Sequence, residues 1–595
     1  MLHVPALLLL LLLLSPPASV ALALAAQAQP CCSALKWSSG WVCPGCPSSC
    51  SVCHGSGNRS GASVDCSSIR WGANWECTDC PQTCTVAKTG PAPPPPGPGP
   101  GMPLHPFSAT GAGDVNGPFF FKGTFHLFTC CSWRHLTAPT AAGPWNDQGS
   151  ETAPAAGNKY ISGSVTVVDG VPRAVMPWNM GNIPATCCVG PPSNGTWRYP
   201  CVANPPTASC FQSYLMSLAT DPTDRLLKDW QPFDQQTTLV NYTAGHVGHG
   251  WVQQDPSRGW LDSAPHDPKR WLFIGGTSIN GTQDNPGGVP IIELWGSRAG
   301  GDWAKGFEYL GIFSADGLSM CDPELITWPG SDVAALYVCS SEYLLGKMVP
   351  TATAWEFKAL PGFPKPGGIG GGKRMAPVGG SAKGFWDEER SRYLIWHASA
   401  IRAGFSLARE VTVDRELEIL IETPAREYEA MRQAPLVNAT GLAVATAQQA
   451  LDTLHGACGQ LDVDVAFHFA APLKQLQAGA KVGVAALGEA INLTISGAGQ
   501  AVLAAGRQSM GLQMKGNETS IALRIIVDGA AIEAFAMDGR AGVSARAANS
   551  SGTFELLLAG EAPSSVDLAV FPLAFESQHL EAERQGLRGE ARLMD

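Results

Sequence analysis

A chain of 595 residues exceeds one ordinary domain several times over, and 45% hydrophobic against 15% charged residues supply apolar surface for a sizeable core, which excludes disorder along the whole length. The formal net charge of -11 leaves no basic footprint for phosphates, so nucleic acid is not an expected partner.

The chain begins with an apolar run over residues 7–14, then Ser15, Pro16 and Pro17, then small residues around Ala26, Gln27 and Ala28. This pattern predicts a secretory signal over 1–28. An uncleaved anchor is the competing reading, and the run is short for spanning a bilayer. Nineteen cysteines are more than a reducing compartment favours. Eight Asn-x-Ser/Thr sequons, at Asn58, Asn194, Asn241, Asn280, Asn438, Asn492, Asn517 and Asn549, point the same way. The expectation is an exported glycoprotein, extracellular, in the cell wall or vacuolar, with no membrane association once the signal is removed.

Residues 29–88 differ from the rest, with ten cysteines between Cys31 and Cys84. Cys32, Trp37, Trp41, Cys43, Cys46, Pro47 and Cys50 recur 34 residues later as Cys66, Trp71, Trp75, Cys77, Cys80, Pro81 and Cys84. A unit this small buries too little surface to stay folded alone, so two disulfides per repeat are expected, with Cys31 and Cys53 left as a further pair. Zinc is the competing use of such cysteines. The paired tryptophans either form the miniature core or stack on sugar rings, which makes a cell-wall polysaccharide a possible partner of this module. Residues 89–104, mostly proline and glycine, read as an extended linker.

Beyond the linker, short β-type runs dominate, at 119–128, 165–177 with a turn at Asp169-Gly170, 271–275, 290–295, 334–339 and 393–397. Such strands without βαβ alternation predict an all-β propeller, sandwich or barrel. From about Glu429 the runs at 461–469, 481–487, 491–495, 523–528, 532–536, 553–558 and 566–571 predict a β-sandwich.

Hydrolysis of a glycosidic bond needs one carboxylate at the anomeric carbon and a second, protonated, at the leaving oxygen. Asp114, in Gly113-Asp-Val-Asn-Gly-Pro118 ahead of Phe119-Phe-Phe-Lys-Gly-Thr-Phe-His-Leu-Phe128, sits where a polar turn enters a hydrophobic hairpin. Taken alone, Asp and Asn-Gly are ordinary turn residues. The stretch resembles the signature NDPNGPxxYKGxYHLF of glycoside hydrolase family 32, the invertases and fructanases. Further fragments follow in the same order: Ile161-Ser-Gly-Ser-Val165 is similar to FSGSA, Ala219 to Trp230 to the text between the second and third blades, and Gln254-Asp255-Pro256 to RDP. Ser381-Ala-Lys-Gly-Phe-Trp-Asp387 resembles SKTFYD, Arg392-Tyr-Leu-Ile-Trp396 resembles RRVLWGW, Ala408-Arg-Glu410 resembles PRE, and Leu523 to Phe535 resembles LRILVDxSxxExF.

The resemblance implies a five-bladed β-propeller over 105–425 and a β-sandwich over 426–595, behind the small disulfide-rich repeat module. It implies a retaining β-fructofuranosidase acting on sucrose or a fructan without cofactor or metal. Asp114 takes the role of nucleophile and Asp255 that of transition-state stabiliser. Asn116, Trp133, Ser162 and Gln254 are implied to contact substrate, although Trp133 is equally a core residue by its type.

Departures from the family pattern bear on function. The acid/base glutamate of WECPDF is replaced within Leu318-Ser-Met-Cys-Asp-Pro-Glu-Leu325, where either register puts Met320 or Cys321 at its position. Asp322 is the first substitute as proton donor, because side chains two residues apart on a strand share a face and lie about 7 Å apart. Glu324 is on that face but farther away, and is the second candidate, as donor or as a substrate contact, against a structural carboxylate in a Pro-Glu context that resembles the family's Pro-Asp. Gln254 replaces an arginine, Gly113 an asparagine and Val115 a proline. The other reading is therefore a pseudoenzyme that keeps a sugar-binding funnel. His135 inherits no role, Cys187, Cys188, Cys201 and Cys210 read as disulfide staples rather than metal ligands, and the glycines over 367–372 read as a flexible loop.

Overall fold

Between Val115 and Pro424 the computed structural model forms five antiparallel sheets in succession, each built from four consecutive strands. Residues 102–575 are described, apart from 108–112, 131–132, 151, 155–161, 179–212, 233–234, 242–254, 264, 280–288, 299, 316–320, 340–341, 362–372, 375–380, 399–403, 455–458, 498 and 549–552, and so are the paired strands Ser49–Ser51 and Ser63–Asp65. The expected signal, most of the double repeat and linker, and Gln254 therefore lie outside the described residues.

Blade I consists of Val115–Phe121, Thr124–Thr129, Arg134–Ala138 and Asn146–Gly149. Blade II follows with Ser164–Val168, Val171–Trp178, Ser213–Leu218 and Thr237–Asn241. Blade III is Trp260–Leu261, Trp271–Ile279, Val289–Ser297 and Phe307–Ser314. Blade IV is Glu324–Thr327, Ala334–Val338, Glu342–Pro350 and Trp355–Ala359, with Lys373–Arg374 added beside its third strand. Blade V is Ala382–Asp387, Arg392–His397, Arg409–Asp414 and Ile419–Pro424. The Asp169-Gly170 turn joins the first two strands of blade II with φ of 51° and 76°, the left-handed pair that a two-residue hairpin requires.

Strands such as Thr124–Thr129, Ala334–Val338 and Arg392–His397 are buried at every position, because each blade is sandwiched between its neighbours. The seams between first strands carry hydrogen bonds around the whole ring. Gly117 N donates to Gly163 O at 3.1 Å, Gly259 N to Thr166 Oγ1 at 2.8 Å, and Asp322 N to Asp255 Oδ2 at 3.3 Å. Lys383 Nζ donates to Pro323 O at 3.1 Å, and Val115 N to Ser381 Oγ at 3.2 Å, which closes blade V on blade I.

After the short helix Glu427–Ala430, a six-stranded sheet runs in the order Val437–Leu442, Ser565–Pro572, Gln460–His468, Ser520–Asp528, Ala531–Ala536, Ala541–Arg546. A five-stranded sheet runs Gln508–Gln513, Gln500–Ala505, Glu489–Gly497, Lys481–Ala486, Phe554–Ala559. Alternate residues such as Val463, Val465 and Phe467 meet Val482, Val484, Ile491 and Leu493 in one core, as expected of a sandwich. The helix Val444–Asp452, which the strand reading did not include, adds Ala447, Ala450 and Leu451 to that core.

Propeller and sandwich meet through buried charge. Arg409 of blade V, fully buried, donates to Glu422 Oε2 at 3.0 Å and to Glu533 Oε2 of the sandwich at 2.7 Å. His105, upstream of blade I, meets Asp528 at 2.7 Å and Glu533 at 3.4 Å, and its amide and that of Leu104 donate to Asp528 Oδ2 at 3.1 Å and 2.9 Å. Burial opposes charging His105, but hydrogen bonds and charge from Asp528 and Glu533 overcome it and hold its pKa up at about 9.

Candidate active site

Asp114 lies at the entry to the first strand of blade I. Gly113 before it has φ of 60°, and a Cβ there would stand 2.9 Å from the Cys130 carbonyl oxygen, so the position where the resemblance expects asparagine has no room for a side chain. Cys130 N donates to Asp114 O at 2.8 Å, and Cys130 is itself disulfide-bonded, which fixes the turn from the other side. The Ser162 hydroxyl donates to Asp114 Oδ2 at 3.2 Å. Asn116, fully buried, accepts from Gly163 N through Oδ1 at 3.1 Å while its Nδ2 has no hydrogen-bond partner.

Asp255 precedes the first strand of blade III, and Asp322 precedes that of blade IV. Both are 3% exposed and both adopt left-handed backbone, with φ of 47° and 48°, a conformation that aspartate tolerates better than most residues. The Asp322 amide donates to Asp255 Oδ2, and Oδ1 of each has no hydrogen-bond partner. Burial pushes Asp322 well above the usual carboxylate range and the Asp255 and Asp114 charges add to it, against the opposing pull of Lys383 and of the nearby Ser162 hydroxyl. Burial likewise raises Asp255, with Lys383 opposing and Asp114 adding.

The strand argument for Asp322 needs correction. Blade IV begins only at Glu324, so Asp322 is not on the pleated strand and the two-residue periodicity does not relate it to its neighbours. Its direction is set by the left-handed backbone and by the Cys321–Cys339 disulfide immediately before it. Cys321, one of the two positions that aligned with the missing glutamate, is consumed in that bond.

Glu324 is 2% exposed, accepts from Tyr393 Oη at 2.9 Å, and has Lys383 Nζ at 3.8 Å from Oε2. Burial lifts its pKa to about 7, with Lys383, Tyr393 and Arg258 opposing. Lys383, Tyr393 and Arg258 carried no role in the sequence reading. Lys383 and Tyr393 stood inside the fragments compared with SKTFYD and RRVLWGW, and only their meeting with Glu324 across blades gives them significance. Arg258, with its guanidinium 5.6 Å from the centre of the Phe385 ring, supplies a positive charge acting on Glu324 four residues after Gln254.

Structure brings Asp114, Ser162, Asp255, Asp322 and Glu324 together around the centre of the ring. Trp133 is different: it is fully buried, packed with Phe119, Phe128, Val165 and Met176. Its ring leaves no space for a Cβ on Gly163, with Trp133 Cζ2 at 2.8 Å from such an atom, so it buttresses the segment that presents Ser162. His135 is buried too, hydrogen-bonded to His126 at 2.9 Å, and burial lowers its pKa to about 3. Among the described residues no group of three or more His, Cys, Asp or Glu could hold a metal ion.

Buried carboxylates thus stand at the starts of first strands in a five-bladed ring, with a β-sandwich docked against it. No family model matches the sequence and no curated protein matches it. Solved structures do match. Fructan 1-exohydrolase IIa from Cichorium intybus is similar at 15% identity over 79% of this chain and 96% of that one, with a TM-score of 0.55. Exo-inulinase from Aspergillus awamori is similar at 15% identity over 79% and 98%, also at 0.55. Sucrose-6-phosphate hydrolase from Lactobacillus gasseri matches at 14% over 80% and 93%, again at 0.55. A glycoside hydrolase family 32 protein from Bifidobacterium adolescentis matches at 15% over 80% and 82%, at 0.52. At such identities the likeness is one of fold, and the fold of this chain is that of family 32.

Proposed function

We propose that this chain is a retaining glycoside hydrolase that cleaves β-fructofuranosyl bonds, with sucrose or a fructan as substrate. Asp114 attacks the anomeric carbon, forming an ester bond as the bond to the leaving oxygen breaks, and that oxygen takes its proton from Asp322. Water then attacks the same carbon, gives a proton back to Asp322 and releases Asp114. Asp255 stabilises the positive charge that develops between the two steps. One observation carries the reading: the Ser162 hydroxyl holds Asp114 at the site, and burial together with the Asp255 and Asp114 charges pushes the pKa of Asp322 well above the usual carboxylate range. A retaining pair works at about 5 to 5.5 Å, so the reading requires the Asp114 and Asp322 carboxyls to approach to that separation.

Recognition of a sugar without cleavage is the second reading, and it is favoured by the 3% exposure of both Asp255 and Asp322. Release of reducing sugar from sucrose, inulin and levan by the purified protein, compared with Asp114→Asn, separates the two. Turnover that the variant abolishes supports hydrolysis, and no variant-sensitive turnover on any of the three rules it out. Export is part of the proposal, since Cys321–Cys339 is a bond that an oxidising compartment maintains. Among the described residues no helix is long and apolar enough to cross a membrane.

A further inference from the structure

Lys383 sits on the first strand of blade V with no exposure, and its ammonium reaches into two other blades. It donates to Asp255 O at 3.2 Å, to Pro256 O at 3.4 Å and to Pro323 O at 3.1 Å, with Glu324 Oε2 at 3.8 Å. An ammonium has three protons to give, and all of the carbonyls within its reach flank the two aspartates held in left-handed backbone. An uncompensated buried charge is expensive, so a lysine in this position is tolerated only where acceptors and anions surround it.

We infer that Lys383 is a positioning residue of this site: by binding the 255–256 and 323–324 peptides together it sets the spacing of the Asp255 and Asp322 carboxyls and offsets their repulsion. This inference rests on the hydrolytic reading above. The groups that interact with the ammonium are the carboxyls of Asp255, Asp322 and Glu324 from blades III and IV; Asp114 of blade I acts in turn on Asp255 and Asp322, and Arg258 and Tyr393 act on Glu324. The positive charge opposes the upward push of burial on Asp255, Asp322 and Glu324 alike, so its removal moves all three in one direction.

The test is the pH dependence of kcat and KM for the full chain and for Lys383→Met, Lys383→Gln and Lys383→Arg. The neutral variants are expected to lose about 100-fold in kcat with KM little changed, as a small misplacement of reacting groups does. Both limbs of their pH profile should move to higher pH by about one unit or more. Lys383→Arg should restore the limbs while kcat stays depressed, since a planar guanidinium does not reproduce the ammonium's contacts. Wild-type limbs in a folded neutral variant would overturn the inference. So would unfolding of both neutral variants beside a folded Lys383→Arg, because the lysine would then serve stability alone. If the wild-type chain turns over no fructoside, the hydrolytic reading fails by itself. Infrared titration of the buried carboxyls in wild type and Lys383→Gln then decides the present point, an unshifted titration counting against it.

Discussion

The main-chain amide of Asp322 donates to the carboxylate of Asp255 at 3.3 Å, so the proposed proton donor and the proposed charge stabiliser are joined through one hydrogen bond. Burial lifts the pKa of Asp255 to about 7 against the pull of Lys383 and of this bond, and once ionised Asp255 adds to the upward push on Asp322. The division of labour between two chemically identical side chains follows from this asymmetry.

The first consequence is a pH profile. Asp322 has its pKa raised in the folded state, so the protonated form needed for donation is fully present at acid pH and is lost as pH rises through the raised value. The kcat/KM for a fructoside should fall on the alkaline side accordingly. Asp322→Asn should cost about 100- to 10,000-fold and abolish that limb, whereas Glu324→Gln should keep it. Initial rates from pH 4 to pH 9, on the order of the range in which such groups titrate, give the answer.

Asp255→Asn removes one of the charges that hold the proton on Asp322. Residual activity in this variant should therefore show its alkaline limb at lower pH than wild type, in addition to a large loss in kcat. A limb that stays in place would show that Asp255 does not govern its neighbour.

The Cys321–Cys339 disulfide closes 18 residues of chain immediately before the proposed acid. Loop closure of that length is worth about 3 kcal/mol. Cys321→Ser combined with Cys339→Ser should lower Tm and depress kcat more than it raises KM, because Asp322 loses its anchor. Calorimetry and steady-state kinetics on the double variant check both parts.

At the joint between the domains, His105 carries a pKa near 9 against an ordinary value of 6.5. A raised value in the folded state means that the stabilisation is complete below about pH 6.5 and disappears as pH climbs through about 9. Its size is on the order of 3 kcal/mol. His105→Gln should lower Tm at pH 6 and flatten the dependence of Tm on pH between these limits.

How much of this was legible in the sequence varies with distance along the chain. The Asp169-Gly170 turn and strands such as 334–338 and 523–528 announce themselves through local composition and alternation. Asp114, Ser162 and Asp255 were named because fragments around them follow a known order. Lys383 was not, since its partners lie 60 to 128 residues away and no local pattern records a contact across three blades. A two-residue strand such as Trp260–Leu261 carries no periodicity to read. Asp322 was named for a strand geometry that it does not have, because left-handed backbone at an aspartate leaves no mark in composition.

The contact of Leu104 and His105 with Asp528 bears on how this chain tolerates processing. These two residues act as a keystone inserted from upstream, so a protease that trims the chain past them strips the Asp528 carboxylate of its cation, leaves Glu533 to Arg409 alone and loosens the joint between the propeller and the sandwich. A cut in the proline- and glycine-rich stretch before residue 102 leaves the keystone seated. Shedding the cysteine-rich repeats is therefore compatible with an intact joint between propeller and sandwich only within that narrow window of cleavage sites.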